Sequence, residues 1–86
     1  MAAAMMVDGA QLRAARAALG LSQAELAQLA GVGRATIDRL ERKKEDLVKA
    51  GDQTLRALEQ ALLMRGVRMD VGEDGERIVR WRRLAE

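Results

Sequence analysis

Five basic side chains, Arg34, Arg39, Arg42, Lys43 and Lys44, fall within eleven consecutive positions and are opposed there only by Asp38 and Glu41. The chemistry they offer is recognition, not bond-making. A guanidinium presents parallel N–H donors that match guanine O6 and N7, and both residue types suit phosphate. A second basic cluster, Arg77, Arg80, Arg82 and Arg83, lies near the end of the chain. Whole-chain charge says less, because the formal net charge is only +2 although the sequence pI is about 9.7. Distribution therefore carries the argument. The chain has no Cys, His, Tyr, Phe or Pro. This removes disulfides, thiolate and imidazole metal ligands, and the usual pairs of nucleophile and base. No enzymatic activity, metal or cofactor is expected.

The basic stretch ends a segment from Gln23 to Arg42, QAELAQLAGVGRATIDRLER, that reads as two short helices joined by a tight glycine turn. Leu26, Ala27, Leu29 and Ala30 recur at helical spacing in the first half, and Val32, Ile37 and Leu40 continue an apolar face through the second. Ser22 is the expected N-cap of the first helix, with Glu25 three residues on completing a capping box. Gly31 is the expected corner, since helices that cross steeply need a residue tolerant of positive φ. Two helices of this length with so short a turn fit a helix-turn-helix.

The segment resembles the Xre/Cro/C1-type helix-turn-helix regulators of phages and bacteria. Within its 20 residues, Gln23 matches the first position, Leu26 and Ala27 the fourth and fifth, Ala30, Gly31 and Val32 the eighth to tenth, Ile37 the fifteenth and Leu40 the eighteenth. Ala27 is small where the second helix crosses it, and Leu26, Val32, Ile37 and Leu40 bury the contact between the helices. The fold implied is mainly α, a lambda-repressor-like bundle of four to five short helices, here followed by a β-hairpin. In such regulators the second helix enters the major groove with its N-terminal half foremost.

Counted along helix 33–41, Gly33, Arg34, Ala35 and Thr36 form that leading end, while Asp38 and Arg39 face out. The base contacts expected are Arg34, Ala35, Thr36, Asp38 and Arg39, with the two arginines as guanine readers, Ala35 against a thymine methyl, and Thr36 on a phosphate or a base edge. Asp38 either accepts from a cytosine N4 or pairs with Arg34 or Arg42. The backbone contacts expected are Ser22, Gln23, Gly33, Arg42, Lys43 and Lys44. Ser22 and Gln23 stand where free N–H groups and the helix dipole favour a phosphate. Gly33 replaces the serine or threonine usual at its position in the family, which removes a side-chain cap and a phosphate hydrogen bond. The resemblance also implies an ion pair between Arg16 and Glu41. The competing view of the arginines is a solvated, salt-bridged helix face, and of Lys43 and Lys44 an ordinary exposed loop.

Around this unit, 86 residues leave room for one domain with a small core, near the size at which folding alone becomes marginal. Residues 1–7 read as a flexible start, or as Met5 and Met6 covering part of the core. Helix 1 follows, with Asp8 able to cap it, Leu12, Ala15, Ala18 and Leu19 on its apolar stripe, and Gln11, Arg13 and Arg16 leaving that stripe. After Arg42 the run KKEDLVKAG reads as a loop with room for one helical turn at Glu45 to Lys49. Asp52 then looks like an N-cap for helix 4, whose stripe is Leu55, Leu58, Ala61 and Leu62 with Leu63 as a further candidate, and which stops near Gly66. The helix-turn-helix domain is thus expected over 8–66.

From Val67 the period changes to alternation, and the turn signal GEDG separates two β-like runs, 67–71 and 78–82. This hairpin, residues 67–86, is the expected dimerisation element. Val67, Met69 and Val71 share one face with Val79 and Trp81, Ile78 and Leu84 lie on the other, and the outer edge offers unpaired N–H and C=O groups to a second copy. Val67, Met69, Val71, Val79 and Trp81 are the expected dimer interface.

The partners expected are double-stranded DNA, with a palindromic operator, and a second copy of the chain. No apolar run approaches the length of a membrane span and the start lacks a signal-peptide pattern, so a cytoplasmic, nucleoid-associated protein is expected. The leading function is a sequence-specific regulator, a repressor or control protein. The competing one is a protein-interaction module, an antitoxin or anti-activator that occupies a protein partner through the hairpin or the face of helix 4.

Overall fold

The computed structural model describes residues 8–44 and 52–83. The expectations for residues 1–7, for a helical turn at 45–49, for the cap at Asp52 and for Leu84 lie outside the described residues. Within them the order is α1 (Gly9–Ala18), α2 (Gln23–Ala30), α3 (Arg34–Glu41), α4 (Asp52–Leu63), β1 (Val67–Val71) and β2 (Arg77–Trp81).

Local sequence accounts for the helix ends. Asp8 caps α1 by accepting from the Gln11 N–H at 2.7 Å, while the Gln11 side chain accepts from the Asp8 N–H at 3.0 Å. Ser22 and Glu25 make the same reciprocal box at α2. Gly31 sits at φ +70, and its left-handed conformation lets the chain reverse from α2 into α3. Gly33 caps α3 with backbone alone.

The core joins one stripe from each element: Leu12 and Ala15 of α1, Leu26 and Ala27 of α2, Ile37 and Leu40 of α3, Leu55, Leu58, Ala61 and Leu62 of α4, and Val67 and Met69 of β1. Each large side chain taken fully from water contributes ~1.5 to 3 kcal/mol, so no single contact dominates. Two residues assigned to apolar faces turn out exposed. Leu29 is 41% and Leu63 44% exposed. Both sit more than a quarter turn from the centre of their stripe, Leu26/Ala27/Ala30 and Leu58/Ala61/Leu62 respectively.

The strands pair antiparallel, Val67 with Trp81, Met69 with Val79 and Val71 with Arg77. Five residues, Gly72 to Glu76, join them, closed by the Gly75 N–H donating to Gly72 O and the Gly72 N–H to Glu76 O. The hairpin lies on α1, with β1 also against α4. This corrects the expected dimer interface at two positions. Val67 and Met69 are 1% and 5% exposed within their own protomer, because α1 and α4 close over the face that was expected to need a second copy. Of the five residues, Val71 and Val79 are half-buried and Trp81 remains 58% exposed.

Gln11 is a further correction. Instead of leaving the stripe for solvent, it is buried, and its Nε2 donates to the carbonyls of Asp70 and Ile78 at 2.7 and 2.9 Å, clamping the hairpin to α1 from beneath a cross-strand pair. Beside it, the buried Asp8 carboxylate takes Arg77 Nε at 3.0 Å. Arg77 is therefore an anchor for β2.

Candidate nucleic-acid interface

α3 is held by its buried side, and this decides what its other side shows. Ile37 and Leu40 are 0% and 2% exposed. With that face fixed, Arg34, Ala35 and Arg39 stand exposed, and Thr36 and Asp38 are half-buried at the flanks. Ala35 and Arg39 are four residues apart and lie one above the other, as do Arg34 and Asp38. Among the described residues Arg34 and Arg39 enter no ion pair, so their donors are open to a ligand.

The orientation of α3 against α1 is set by a bidentate pair. Arg16 Nε and Nη2 donate to the two Glu41 carboxylate oxygens at 2.8 and 2.9 Å, and Arg16 Nη1 donates to Leu21 O at 2.8 Å. The hydrogen bond to Glu41 holds the Arg16 pKa above its ordinary value, against the opposing effect of burial. One guanidinium thus ties the end of α3 to α1 and to the loop before α2.

Gln23 continues this network, its Nε2 reaching Glu41 Oε1 at 3.2 Å and Asp38 Oδ1 at 3.4 Å. Asp38 in turn accepts from Arg42 Nε at 2.9 Å. Of the three roles open to Asp38 in the sequence, pairing with Arg42 is the one observed. Its oxygens are occupied, so Asp38 shapes the edge of the surface and shields part of the Arg42 charge.

At the start of α2, the capping box uses the N–H groups of Ser22 and Glu25. The N–H groups of Gln23 and Ala24 make no hydrogen bond among the described residues, which leaves two donors at the positive end of the helix. Gly33 at the start of α3 has open space around it, with only Thr36 Oγ1 within 4 Å of where a Cβ would stand. Lys43 and Lys44 are exposed after α3 and in no ion pair among the described residues, and Lys44 O accepts from the Ala10 N–H at 2.9 Å.

One residue escaped the sequence reading. Arg13 lines a groove together with Arg16, Gln23, Asp38, Arg42 and Lys44, so α1 adds a cation beside the α3 terminus. Its i,i+3 spacing to Arg16 on one helix face was the available signal. The hairpin residues do not join this surface, because α1 packs against α3 and against both strands and stands between them. Among the described residues no group of His, Cys, Asp or Glu is placed to hold a metal ion, and no helix is long and apolar enough to cross a membrane.

A glycine corner between two short helices, a second helix buried on one side and arginine-bearing on the other, and cations flanking its end define a helix-turn-helix DNA-binding domain. The Helix-turn-helix family HTH_3 matches residues 12–62, more than half of the chain. The chain belongs to this family, the Xre/Cro/C1-type regulators, and is a DNA-binding regulator. No protein of curated function matches it.

Proposed function

We propose that the chain is a sequence-specific repressor or control protein that reads the major groove with α3 and binds a palindromic operator as a two-fold homodimer in the cytoplasm. The observation that carries this reading is the exposure of Arg34, Ala35 and Arg39 along one side of a helix whose other side is wholly buried. Arg34 and Arg39 read guanines, Ala35 contacts a thymine methyl, and Thr36 stands at the groove edge. The free N–H groups at the start of α2, the backbone at Gly33, and Arg42, Lys43 and Lys44 hold phosphates, which fixes register without reading sequence. Occupation of the groove is enough to exclude other proteins from the site, so repression needs no further domain.

The test is selection of bound duplexes from a random pool, followed by titration of the recovered site. A recovered palindrome is expected. Arg34→Ala and Arg39→Ala are each expected to weaken operator binding by ~1 to 3 kcal/mol while leaving binding to random DNA nearly unchanged. Equal weakening on both DNAs removes the base-reading assignment. Absence of salt-dependent DNA binding altogether would favour the protein-interaction function.

A further inference from the structure

The hairpin has two outer edges, and they differ in what packs beside them. α1 packs against both strands, but β1 also meets α4, and two of its residues are buried. No residue of β2 is buried. The ladder shows which groups β2 turns outward. The Gly72 N–H donates to Glu76 O and the Arg82 N–H to Gly66 O, which marks both ends of the hydrogen-bonded pairs. Because such pairs alternate along an antiparallel ladder, the N–H and C=O groups of Arg77, Val79 and Trp81 point away from β1. Among the described residues none of them makes a hydrogen bond.

Charge changes sign from the turn before β2 to the residues after it. Glu73, Asp74 and Glu76 precede the strand and Arg82 and Arg83 follow it, while the strand's own Arg77 and Arg80 already pair with Asp8 and Asp70. Such an edge repels a parallel copy and attracts an antiparallel one. We propose that β2 pairs antiparallel with β2 of a second copy of this chain, in the register centred on Val79, to make a continuous four-stranded sheet. This register sets Val79 opposite the partner's Val79, and Arg77 opposite the partner's Trp81. Every outward N–H and C=O of these three residues then finds a partner, whereas a shift by two residues strands a set at each end.

The register also sets Glu76 directly opposite the partner's Arg82, with the partner's Arg80 on the diagonal. Trp81, among the described residues the most exposed large apolar side chain after Met64, comes to lie directly opposite the partner's Arg77 on the same face of the sheet. The interface is therefore an edge, not the buried face that carries Val67 and Met69. This deepens the homodimeric part of the function above and is independent of DNA.

Sedimentation of the full chain without DNA, at tens of micromolar and below, tests it with charge-exchanged variants. Glu76 and Arg82 are exposed, and their side chains make no hydrogen bond or ion pair among the described residues. E76R and R82E each place like charges opposite one another twice per dimer, and each is expected to weaken self-association about tenfold or more. An equimolar mixture of the two restores opposite charges at both sites and is expected to recover the dimer as a heterodimer. If both variants dimerise like the parent, the homodimer stands but the β2 edge is not its interface. If the mixture stays monomeric while the parent dimerises, the Val79-centred register is wrong. A parent that is monomeric throughout overturns the proposal and the homodimeric reading together.

Discussion

At Gly33 the chain caps α3 without a side chain. The backbone there, φ −76 and ψ 144, is accessible to any residue, and a Cβ would meet nothing closer than 3.8 Å. Gly33→Ser is therefore expected to stabilise the protein slightly, by ~0.5 kcal/mol or less, since serine exceeds glycine as an N-cap by only a few tenths. Urea denaturation monitored by Trp81 fluorescence measures the difference. A loss of stability would mean that close packing against this glycine matters.

Glu25 gives a pH signature of the same kind of local bond. The Ser22 N–H, and after it the Ser22 hydroxyl, hold its pKa below the ordinary carboxylate value. The stabilisation is thus fully present above that ordinary value and is lost as pH falls through the lowered one. Thermal melts of the parent and Glu25→Gln are expected to differ near neutrality and to converge in acid. A gap that stays constant through the acid range contradicts the bond.

Among the elements, the start of α1 lies close against the end of α3. A Cβ on Gly9 would press on the carbonyl of Leu40 and stand 2.7 Å from Glu41 O and 2.8 Å from Lys44 N, all backbone atoms. None of these can rotate away. Gly9→Ala is expected to cost ~1 to 3 kcal/mol, the range for overpacking, and more if α1 must lift from α3. Denaturant midpoints read this directly, and an unchanged midpoint would show that the two helices move apart freely. The same helix end carries Asp8 and Gln11, which grip the hairpin. Through these contacts α1 is the element that holds both α3 and the C-terminal sheet.

For the whole molecule, the balance between reading and simple attraction is set by the charges around α3. Lys43→Ala and Lys44→Ala are expected to weaken binding to every duplex sequence, and each true phosphate contact removed should flatten the slope of log K against log salt by about 0.9. Titrations at several salt concentrations measure it. An unchanged slope would make these lysines ordinary exposed side chains. Arg42 is expected to contribute less than its charge implies, because Asp38 already holds it.

The helix-turn-helix was legible in the sequence because its determinants are local. The Ser22 and Glu25 box, the Gly31 corner, the stripe through Leu26, Ile37 and Leu40, and the hairpin with its GEDG turn all follow from spacing along a few residues. Fixing that stripe also fixed which side of α3 faces out, so Arg34 and Arg39 could be placed without coordinates. Only the tertiary structure decided what Asp8, Gln11 and Arg77 do. Their partners lie some sixty to seventy residues away, and a glutamine next to an apolar stripe is solvated or buried according to whether something distant brings it carbonyls. The fate of the hairpin face was decided in the same way. Alternation shows that Val67 and Met69 share a face, but whether that face meets a second copy or its own α1 and α4 depends on packing that no local spacing encodes.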